Sequence, residues 1–438
     1  MKKPLIQTLS VCLLLLFSVF QSKAQAIKPE YRKAVKDLAG SPIVQQAFRY
    51  IESIDAETVQ DMITLTEIPA PTFQEHNKAL VFAAMLRKAG ADSVWMDEVG
   101  NVLALRRGSK PGRAIVVDAH LDTVFPFDTD VTVKQRGDTL FAPGITDANR
   151  ALSMVVALLK TFSSQNIRSE KDLLFVGSVG EEGLGDLKGM KHLFRPGGHS
   201  IDGFIAIDGG GLEDIVNGGI GSIRYKVTFK GPGGHSYGAF GIGNPHNALA
   251  QTVADFVPKA DAFTKTGAKT TYSVSVLGGG TSVNSIPYES WMLVDMRSES
   301  QEKLQGINQL FLESIQEGLE KENAIIRRGK ALTVDIEKVG DRPSGAASPD
   351  SPLIQQVMAA ADYMTGGKKP ELGSGSTNSN IAFSLGIPAV TIGRGGIGYG
   401  AHSLDEWWIN KDGHLAIQQA LLVALMQAGL EQQKIQKK

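Results

Sequence analysis

Short apolar runs alternate with amphipathic segments in the first half of the chain. Residues 114–117, 173–176 and 204–207 are continuous apolar runs of the kind that form strands buried on both faces. Residues 76–89 and 151–162 place their apolar side chains at the spacing of a helix. Strands that alternate with helices predict an α/β layer with a mostly parallel sheet, in which ligands collect beyond the carboxyl ends of the strands.

The pattern changes near residue 218 and changes back near residue 346. Between these points, segments with strand, helix, strand, strand, helix and strand character lie at residues 222–229, 247–256, 272–277, 291–296, 301–320 and 331–339. This order is the β-α-β-β-α-β arrangement of a ferredoxin-like α+β sandwich. The sequence therefore predicts an inserted lid or dimerisation domain, residues 219–345.

The α/β pattern resumes after the predicted lid. Residues 351–364 and 414–429 have helical spacing, and residues 389–392 form another apolar run. The predicted catalytic domain thus consists of residues 25–218 and 346–438. A chain of 438 residues is long enough for two domains of this kind.

The first 24 residues are a different kind of segment. Lys2 and Lys3 precede a mostly apolar run at residues 5–20, and small residues stand at Ser22 and Ala24. This pattern predicts a secretory signal peptide that is cut after Ala24. An uncleaved membrane anchor is the alternative, but the run is short and interrupted by polar residues. We expect export to a periplasmic or extracellular location, with no membrane association after cleavage.

Composition limits the classes of partner and of metal site. The formal net charge is -1, so no basic field favours nucleic acid. The single cysteine, Cys12, lies in the predicted signal peptide. We therefore expect no disulfide and no thiolate ligand in the mature chain, and any metal ion must be held by histidine and carboxylate groups.

Polar residues follow the predicted strands. His120 and Asp122 come just after residues 114–117 and, two residues apart on an extended chain, can face the same way. A His-x-Asp pair also occurs by chance. Asp147 precedes the helix at residues 151–162, where a helix cap is the simpler interpretation.

Three further segments strengthen this pattern. Glu181 and Glu182 stand on a glycine-rich loop after a predicted strand, where solvated charge is the alternative. Asp208 ends the run at residues 204–207, and His402 follows a glycine-rich turn far downstream. A lone histidine is most often structural. Five such segments, each expected to follow a strand of one α/β layer, predict a common site.

In this order the motifs resemble the zinc-dependent exopeptidase superfamily. The motifs are His120-x-Asp122, Asp147, Glu181-Glu182, Asp208 and His402. Members of the superfamily include peptidase T, carboxypeptidase G, carnosinase-like dipeptidases, aminoacylase and succinyl-diaminopimelate desuccinylase. The resemblance covers nearly the whole mature chain, including the lid, and implies a zinc-hydrolase catalytic domain.

The resemblance implies a site for two divalent metal ions. His120 and Asp208 would hold one ion, Glu182 and His402 the other, and Asp147 would bridge both. Histidine and carboxylate ligands suit zinc, with manganese or cobalt as alternatives.

The resemblance also implies roles in catalysis and in substrate binding. Glu181 would be the general base that acts on a metal-activated water, and Asp122 would orient His120 through its other ring nitrogen. In the lid, His235 would stabilise the oxyanion, with a turn histidine as the alternative. Asn284 and Arg297 would bind a substrate carboxylate, with a structural salt bridge as the alternative for Arg297.

The sequence departs from the family pattern at three places. Asn149 stands two positions after Asp147, where relatives often have lysine or another polar residue, and Arg150 follows it. The usual Gly-Gly-Thr-Asp stretch is replaced by residues 373–378. Aspartate at position 208 resembles the dipeptidase and tripeptidase branches more than most deacylases.

These observations predict a secreted di-metal exopeptidase that cleaves di- and tripeptides or the terminal residue of a small peptide. An N-acyl-amino-acid amidohydrolase is the alternative within the same chemistry. A non-catalytic binding protein is a third hypothesis, disfavoured because all five ligands and Glu181 are present. The expected partners are a small peptide or acyl-amino-acid substrate and a second copy of the chain, paired through the lid.

Overall fold

The structure of the protein is a computed structural model that describes residues 26–431. The predicted signal peptide, residues 1–24, lies outside the described residues. Within residues 26–431, no helix is both long enough and apolar enough to cross a membrane.

The described residues form eleven α-helices. They are α1 (Pro29–Ala39), α2 (Pro42–Ser53), α3 (Asp55–Thr66), α4 (His76–Lys88), α5 (Ala151–Ser164), α6 (Lys188–Leu193), α7 (Pro245–Thr264), α8 (Gln301–Ala324), α9 (Pro352–Met364), α10 (Ser379–Ser384) and α11 (His414–Ala428).

The same residues form nineteen strands. They are β1 (Ser93–Met96), β2 (Val102–Arg106), β3 (Ala114–His120), β4 (Lys134–Arg136), β5 (Thr139–Phe141), β6 (Asp172–Ser178), β7 (Ile201–Gly209), β8 (Asp214–Gly219), β9 (Gly221–Lys230), β10 (Gly234–His235), β11 (Thr270–Gly279), β12 (Ser285–Ile286), β13 (Glu289–Ser298), β14 (Thr333–Arg342), β15 (Gly345–Ala346), β16 (Glu371–Gly375), β17 (Ala389–Gly393), β18 (Ile397–Tyr399) and β19 (Trp407–Ile409).

A nine-stranded main sheet confirms the predicted α/β layer. Its order is β1-β2-β6-β3-β7-β17-β8-β15, with β16 beside β8. The four central strands β6, β3, β7 and β17 are parallel. All seven residues of β3 are buried, because helices cover both faces of a parallel sheet. Ile115 and Val117 pack under α5 and α11, while Val116 packs on the opposite face with α6 and α10.

A second, smaller sheet forms the lid and confirms the predicted ferredoxin-like arrangement. Its strands are all antiparallel in the order β11-β13-β9-β14. Alternate residues of β13 are buried, because α7 and α8 cover one face and leave the other exposed. Helix α7 is longer than the predicted 247–256, because Asn244 caps it two residues earlier and its apolar face continues past Pro258 to Ala260.

The lid is attached to the main sheet at one narrow place. The chain leaves the main sheet after β8 and returns as β15, which pairs with β8. The first and last lid strands are also neighbours, with Ser222 of β9 opposite Arg342 of β14. Both connections between the two sheets therefore run side by side.

A four-stranded outer sheet was not predicted from the sequence. Its order is β18-β19-β5-β4, and it joins segments more than 250 residues apart in the chain. Trp408 of β19 is buried against Met62, Leu140 and Ile145. The strands have only three residues each, too few to show a periodic pattern in the sequence.

Candidate active site

Three predicted site segments lie at the carboxyl ends of neighbouring parallel strands. His120 is the last residue of β3, and Asp208 is the last but one of β7. Glu181 and Glu182 follow β6, which ends at Ser178. Because β6, β3 and β7 are adjacent and parallel, these side chains meet at one edge of the sheet.

The other two segments reach this edge from the outer sheet and not, as expected, from the main one. Asp147 lies in the segment Ile145–Arg150, shortly after β5, and its own backbone is extended and not helical. His402 follows β18 and has a positive φ of 67°. Strand β19 joins β5 to β18, and this pairing brings the two side chains to the main sheet.

Asp147 is the centre of the cluster. One of its carboxylate oxygens lies 3.1 Å from His120 Nε2, and the other lies 3.1 Å from His402 Nε2. Glu182 Oε1 is 3.0 Å from His402 Nε2, and Asp208 Oδ1 is 3.8 Å from His120 Nε2. The structure thus brings together the five ligands that the sequence predicts, with Asp147 shared between two sets.

The donor atoms fit divalent metal ions. Ligand atoms of His120, Asp147 and Glu182 all lie within 4.8 Å of one another, and His402 Nε2 contacts two of these residues. All donors are imidazole nitrogens or carboxylate oxygens, the set that suits zinc and similar ions. Three carboxylates at such distances repel one another strongly unless cations lie between them.

The electrostatics of the ligands agree with a cation site. Burial would raise the pKa of Asp147, but Arg394, His120 and His402 hold it well below its usual value. Hydrogen bonds to Asp147 and Glu182 raise the pKa of His402 to about 10. Burial lowers the pKa of His120, yet its carboxylate partners raise it well above the usual value. Both imidazoles must release a proton in order to bind a metal ion.

Glu181 lies in a buried position next to the predicted ligand Glu182. Only 5% of the residue is exposed. Burial raises the pKa of its carboxyl group to about 8, against the opposing effect of Arg342 and His120. A carboxyl group with a strongly raised pKa beside a cation site is a typical general acid or base.

Asp122 does more than the predicted orientation of His120. The nearest atom to His120 Nδ1 is the main-chain oxygen of Asp122, at 3.0 Å, and the carboxylate lies 3.6 Å away. The carboxylate instead accepts hydrogen bonds from the backbone N–H groups of Glu181 and Glu182, at 3.0 and 2.9 Å, and from the Thr72 hydroxyl. Asp122 therefore holds the backbone of Glu181 and Glu182 as well as the ring of His120.

Glu406 is a site residue that the sequence did not reveal. It is fully buried, and its carboxylate accepts hydrogen bonds from the backbone N–H groups of Gly144, Thr146 and Asp147 and from the Thr146 hydroxyl. It thereby fixes the turn that carries Asp147. Its position four residues after His402 could have indicated a role near the site. That inference requires the outer sheet, because β19 directly follows Glu406.

Arg394 is a second residue that the sequence did not reveal. Its Nη1 lies 3.3 Å from Asp147 Oδ1 and 3.5 Å from Asp208 Oδ1. The buried Arg150 donates to the main-chain oxygen of Arg394 and so fixes its backbone. Arg394 directly follows the buried strand β17, so the rule that identified Asp208 also applies to it.

Three of the residues that depart from the family pattern face the interior. Asn149 is fully buried, and its side-chain oxygen accepts a hydrogen bond from Lys78 Nζ. Burial lowers the pKa of Lys78 to about 7. Arg150 lies over the Trp408 ring at 5.0 Å. Asn378 donates to the buried Asp118 carboxylate at 2.7 Å.

The lid residues are exposed and partly preorganised. His235 pairs with Ser285 across β10 and β12, next to Asn284. His235 Nδ1 accepts two backbone N–H groups at 3.2 Å, which leaves the proton of the neutral ring on Nε2, where it can be donated to a substrate.

Arg297 is paired within the lid. Its Nε donates to Asp295 at 2.7 Å, as the salt-bridge alternative expects. Asp295 also accepts from Arg224, whose Nη1 donates to the main-chain oxygen of Gly183. The side chain of Arg297 remains 41% exposed, so it can also contact a ligand.

Comparisons with known proteins identify the family of the chain. The sequence matches peptidase family M20/M25/M40 over residues 116–428. A curated relative, the putative LysW-lysine/LysW-ornithine hydrolase of Pyrococcus furiosus, is 30% identical over 172 residues. This match covers 39% of the chain and 47% of that protein, so the chain spans about half the length of that relative.

Solved structures share the fold. Aminopeptidase PepT from Bacillus cereus has a TM-score of 0.64 and 20% identity, over 85% of this chain and 97% of that chain. YXEP from Bacillus subtilis, a dinuclear metal-binding peptidase of family M20, has a TM-score of 0.61 and 15% identity, over 86% and 99%. At these sequence identities, the comparison shows that these proteins share the fold of this chain.

We predict that Glu406→Gln weakens metal binding by about 10- to 100-fold, as the loss of a ligand's supporting contact typically does. The amide of glutamine would place a donor against the N–H donors that now bind the carboxylate. The exposed neighbour Asp405 provides the matched control, Asp405→Asn. Metal content after dialysis against graded free zinc measures the effect, and equal affinity in both variants would contradict the assigned role of Glu406.

Proposed function

The chain belongs to peptidase family M20/M25/M40, and we propose that it is a di-metal exopeptidase that cleaves di- and tripeptides or the terminal residue of a small peptide. The observation that supports this most strongly is the cluster of His120, Asp147 and Glu182 within 4.8 Å, with the buried Glu181 beside it. The Bacillus cereus protein with this fold is an aminopeptidase, which agrees with this class of substrate.

The five clustered ligands would divide between two ions. His120 and Asp208 would hold one, Glu182 and His402 the other, and Asp147 would contact both. When bound, such ions polarise the scissile carbonyl and lower the pKa of a water shared between them. Zinc suits these donors, and manganese or cobalt is the alternative.

Glu181 is the proposed general base. Its carboxylate accepts a proton from the attacking water as the new C–O bond forms. It then delivers that proton to the amide nitrogen as the C–N bond breaks, which yields a carboxylate and an amine. Its backbone N–H donates to Asp122, and its side chain contacts Arg342. These contacts hold Glu181 in place during both proton transfers.

The lid supplies the proposed substrate contacts. His235 Nε2 carries a proton that it can donate to the developing oxyanion. Arg297 and Asn284 would bind a carboxylate of the substrate, for which the planar guanidinium is well suited. A second copy of the chain, paired through the lid, would place such residues at a neighbouring site. The outer edge of β11, with Leu277 60% exposed, suits this pairing, and light scattering in solution tests it.

An N-acyl-amino-acid amidohydrolase is the second candidate. The same base and ions would cleave an acyl amide, and the Pyrococcus furiosus relative is named for hydrolysis of a lysine or ornithine conjugate. Export through residues 1–24 is also part of the proposal and is tested by the mass of the mature chain in the exported fraction.

Product release from matched substrates tests the proposed function. We expect the zinc-loaded protein to cleave di- and tripeptides faster than N-acetylated amino acids, and a chelator to abolish the activity. The bond that is cut identifies the amino or carboxyl end as the site of attack. Preference for the acylated compounds would instead establish the second candidate, and no chelator-sensitive cleavage of either set would contradict both.

We predict that Glu181→Gln retains the metal ions but lowers kcat by about 100- to 10,000-fold, the range for loss of a general base. The adjacent Glu182→Gln is the matched variant, because it removes a ligand and should lower metal content as well. Metal analysis and kcat on the best substrate separate the two. Substantial turnover by metal-loaded Glu181→Gln would show that another group is the base.

We predict that Arg297→Ala lowers kcat/KM for substrates with a free carboxylate by about 10- to 100-fold, as expected for a lost charge-assisted hydrogen bond. Substrates whose carboxylate is amidated should lose far less. Arg297→Lys keeps the charge and should retain part of the preference. Equal losses for both kinds of substrate would mean that Arg297 only pairs with Asp295.

A further inference from the structure

One lid side chain enters the catalytic site from the narrow base of the lid. Arg342 is the last residue of β14 and lies opposite Ser222 of β9, where both connections to the main sheet pass. It is only 4% exposed. Its guanidinium leaves the lid sheet and reaches the loop that follows β6.

The contacts of Arg342 centre on Glu181. Nη1 donates to Glu181 Oε1 at 3.3 Å and to Ser376 Oγ at 3.1 Å, and Nη2 donates to the main-chain oxygen of Glu181. Nε lies 4.0 Å from Asp186 Oδ1. A planar, always charged group with this fork of donors fixes both the backbone and the carboxylate of one residue.

Two other lid groups hold the same loop. The backbone N–H of Asp341 donates to both carboxylate oxygens of Asp186, at 2.9 and 3.0 Å. Arg224 Nη1 donates to the main-chain oxygen of Gly183 at 2.8 Å. The loop from Glu181 to Asp186 is therefore attached to the lid along its length, and Arg342 is the only one of these three groups that touches the Glu181 carboxylate.

We propose that Arg342, which belongs to a lid strand, is a positioning residue that orients the Glu181 carboxylate. This rests on the proposed role of Glu181 as the base. The guanidinium binds both the carboxylate and the main-chain oxygen of Glu181. Loss of these contacts would leave the carboxylate free to adopt orientations in which it is a poorer base.

The magnitude of the effect distinguishes positioning from substrate binding. A displacement of about 1 Å at a reacting group can lower the rate about 100-fold without a change in binding. Arg342→Lys keeps the charge but cannot contact the carboxylate, Ser376 and the main-chain oxygen together. We expect kcat to fall about 10- to 100-fold, KM to change less than about threefold, and metal content to stay the same.

A double-mutant cycle tests whether Arg342 acts through Glu181. In the Glu181→Gln background, Arg342→Lys should have little further effect on kcat, because the group that it positions is no longer a base. Losses that simply multiply would overturn the proposal. Lys338→Met is the matched control: it removes an exposed cation from the same strand, one that pairs with Asp341, and should leave kcat within about twofold.

A readout that needs no substrate keeps this proposal separate from the proposed function. Urea midpoints of Arg342→Met, Glu181→Met and the double variant should be non-additive, because each single change leaves a buried partner without the contact between the two side chains. Additive shifts would overturn the contact itself. If the chain cleaves none of the amide substrates yet the midpoints are non-additive, the proposed function fails while the contact between Arg342 and Glu181 stands.

Discussion

The carboxylate of Asp147 is the link on which the rest of the site depends. Each of its oxygens lies 3.1 Å from a different histidine, one at the end of a main-sheet strand and one after an outer-sheet strand. Its own position is fixed by Glu406, which accepts three hydrogen bonds from the backbone of the same turn and one from the Thr146 hydroxyl. The carboxylate of Asp147 therefore joins the two sheets, and the cluster forms only where both sheets are in place.

Burial of so much negative charge requires positive charge nearby. Two carboxylates about 4 Å apart repel by about 4 kcal/mol even at an effective dielectric constant of about 20. The chain places Arg394 between Asp147 and Asp208, and Arg342 against Glu181. Divalent ions at the same donors would add to this compensation. The arginines and the bound metal ions would thus both compensate the buried negative charge.

The lid is connected to the chemistry as well as to the substrate. The side chains of His235 and Arg297 are partly or fully exposed, so they can contact a ligand. Arg342, Arg224 and the Asp341 backbone hold the loop that carries Glu181 and Glu182. Arg297 lies opposite Ser222 in the lid sheet, and Ser222 lies opposite Arg342. The proposed substrate contact and the contact with Glu181 are therefore close neighbours in the lid sheet.

Periodicity in the sequence was sufficient for the main architecture, and motif order predicted a set of residues that the structure brings together. The continuous apolar run at residues 114–117 indicates a strand buried on both faces. The alternation of buried and half-buried residues in β13 indicates a strand packed on one face only. Both are local properties of the sequence. His120, Glu182 and Asp208 follow from the rule that parallel strands end at one edge. The tertiary structure alone decided the rest. Glu406, Arg394 and Arg342 contact site residues 161 to 262 positions away in the chain, and the three-residue strands that position His402 show no periodic pattern. Contacts between distant segments depend on how the sheets pack, which no local pattern encodes.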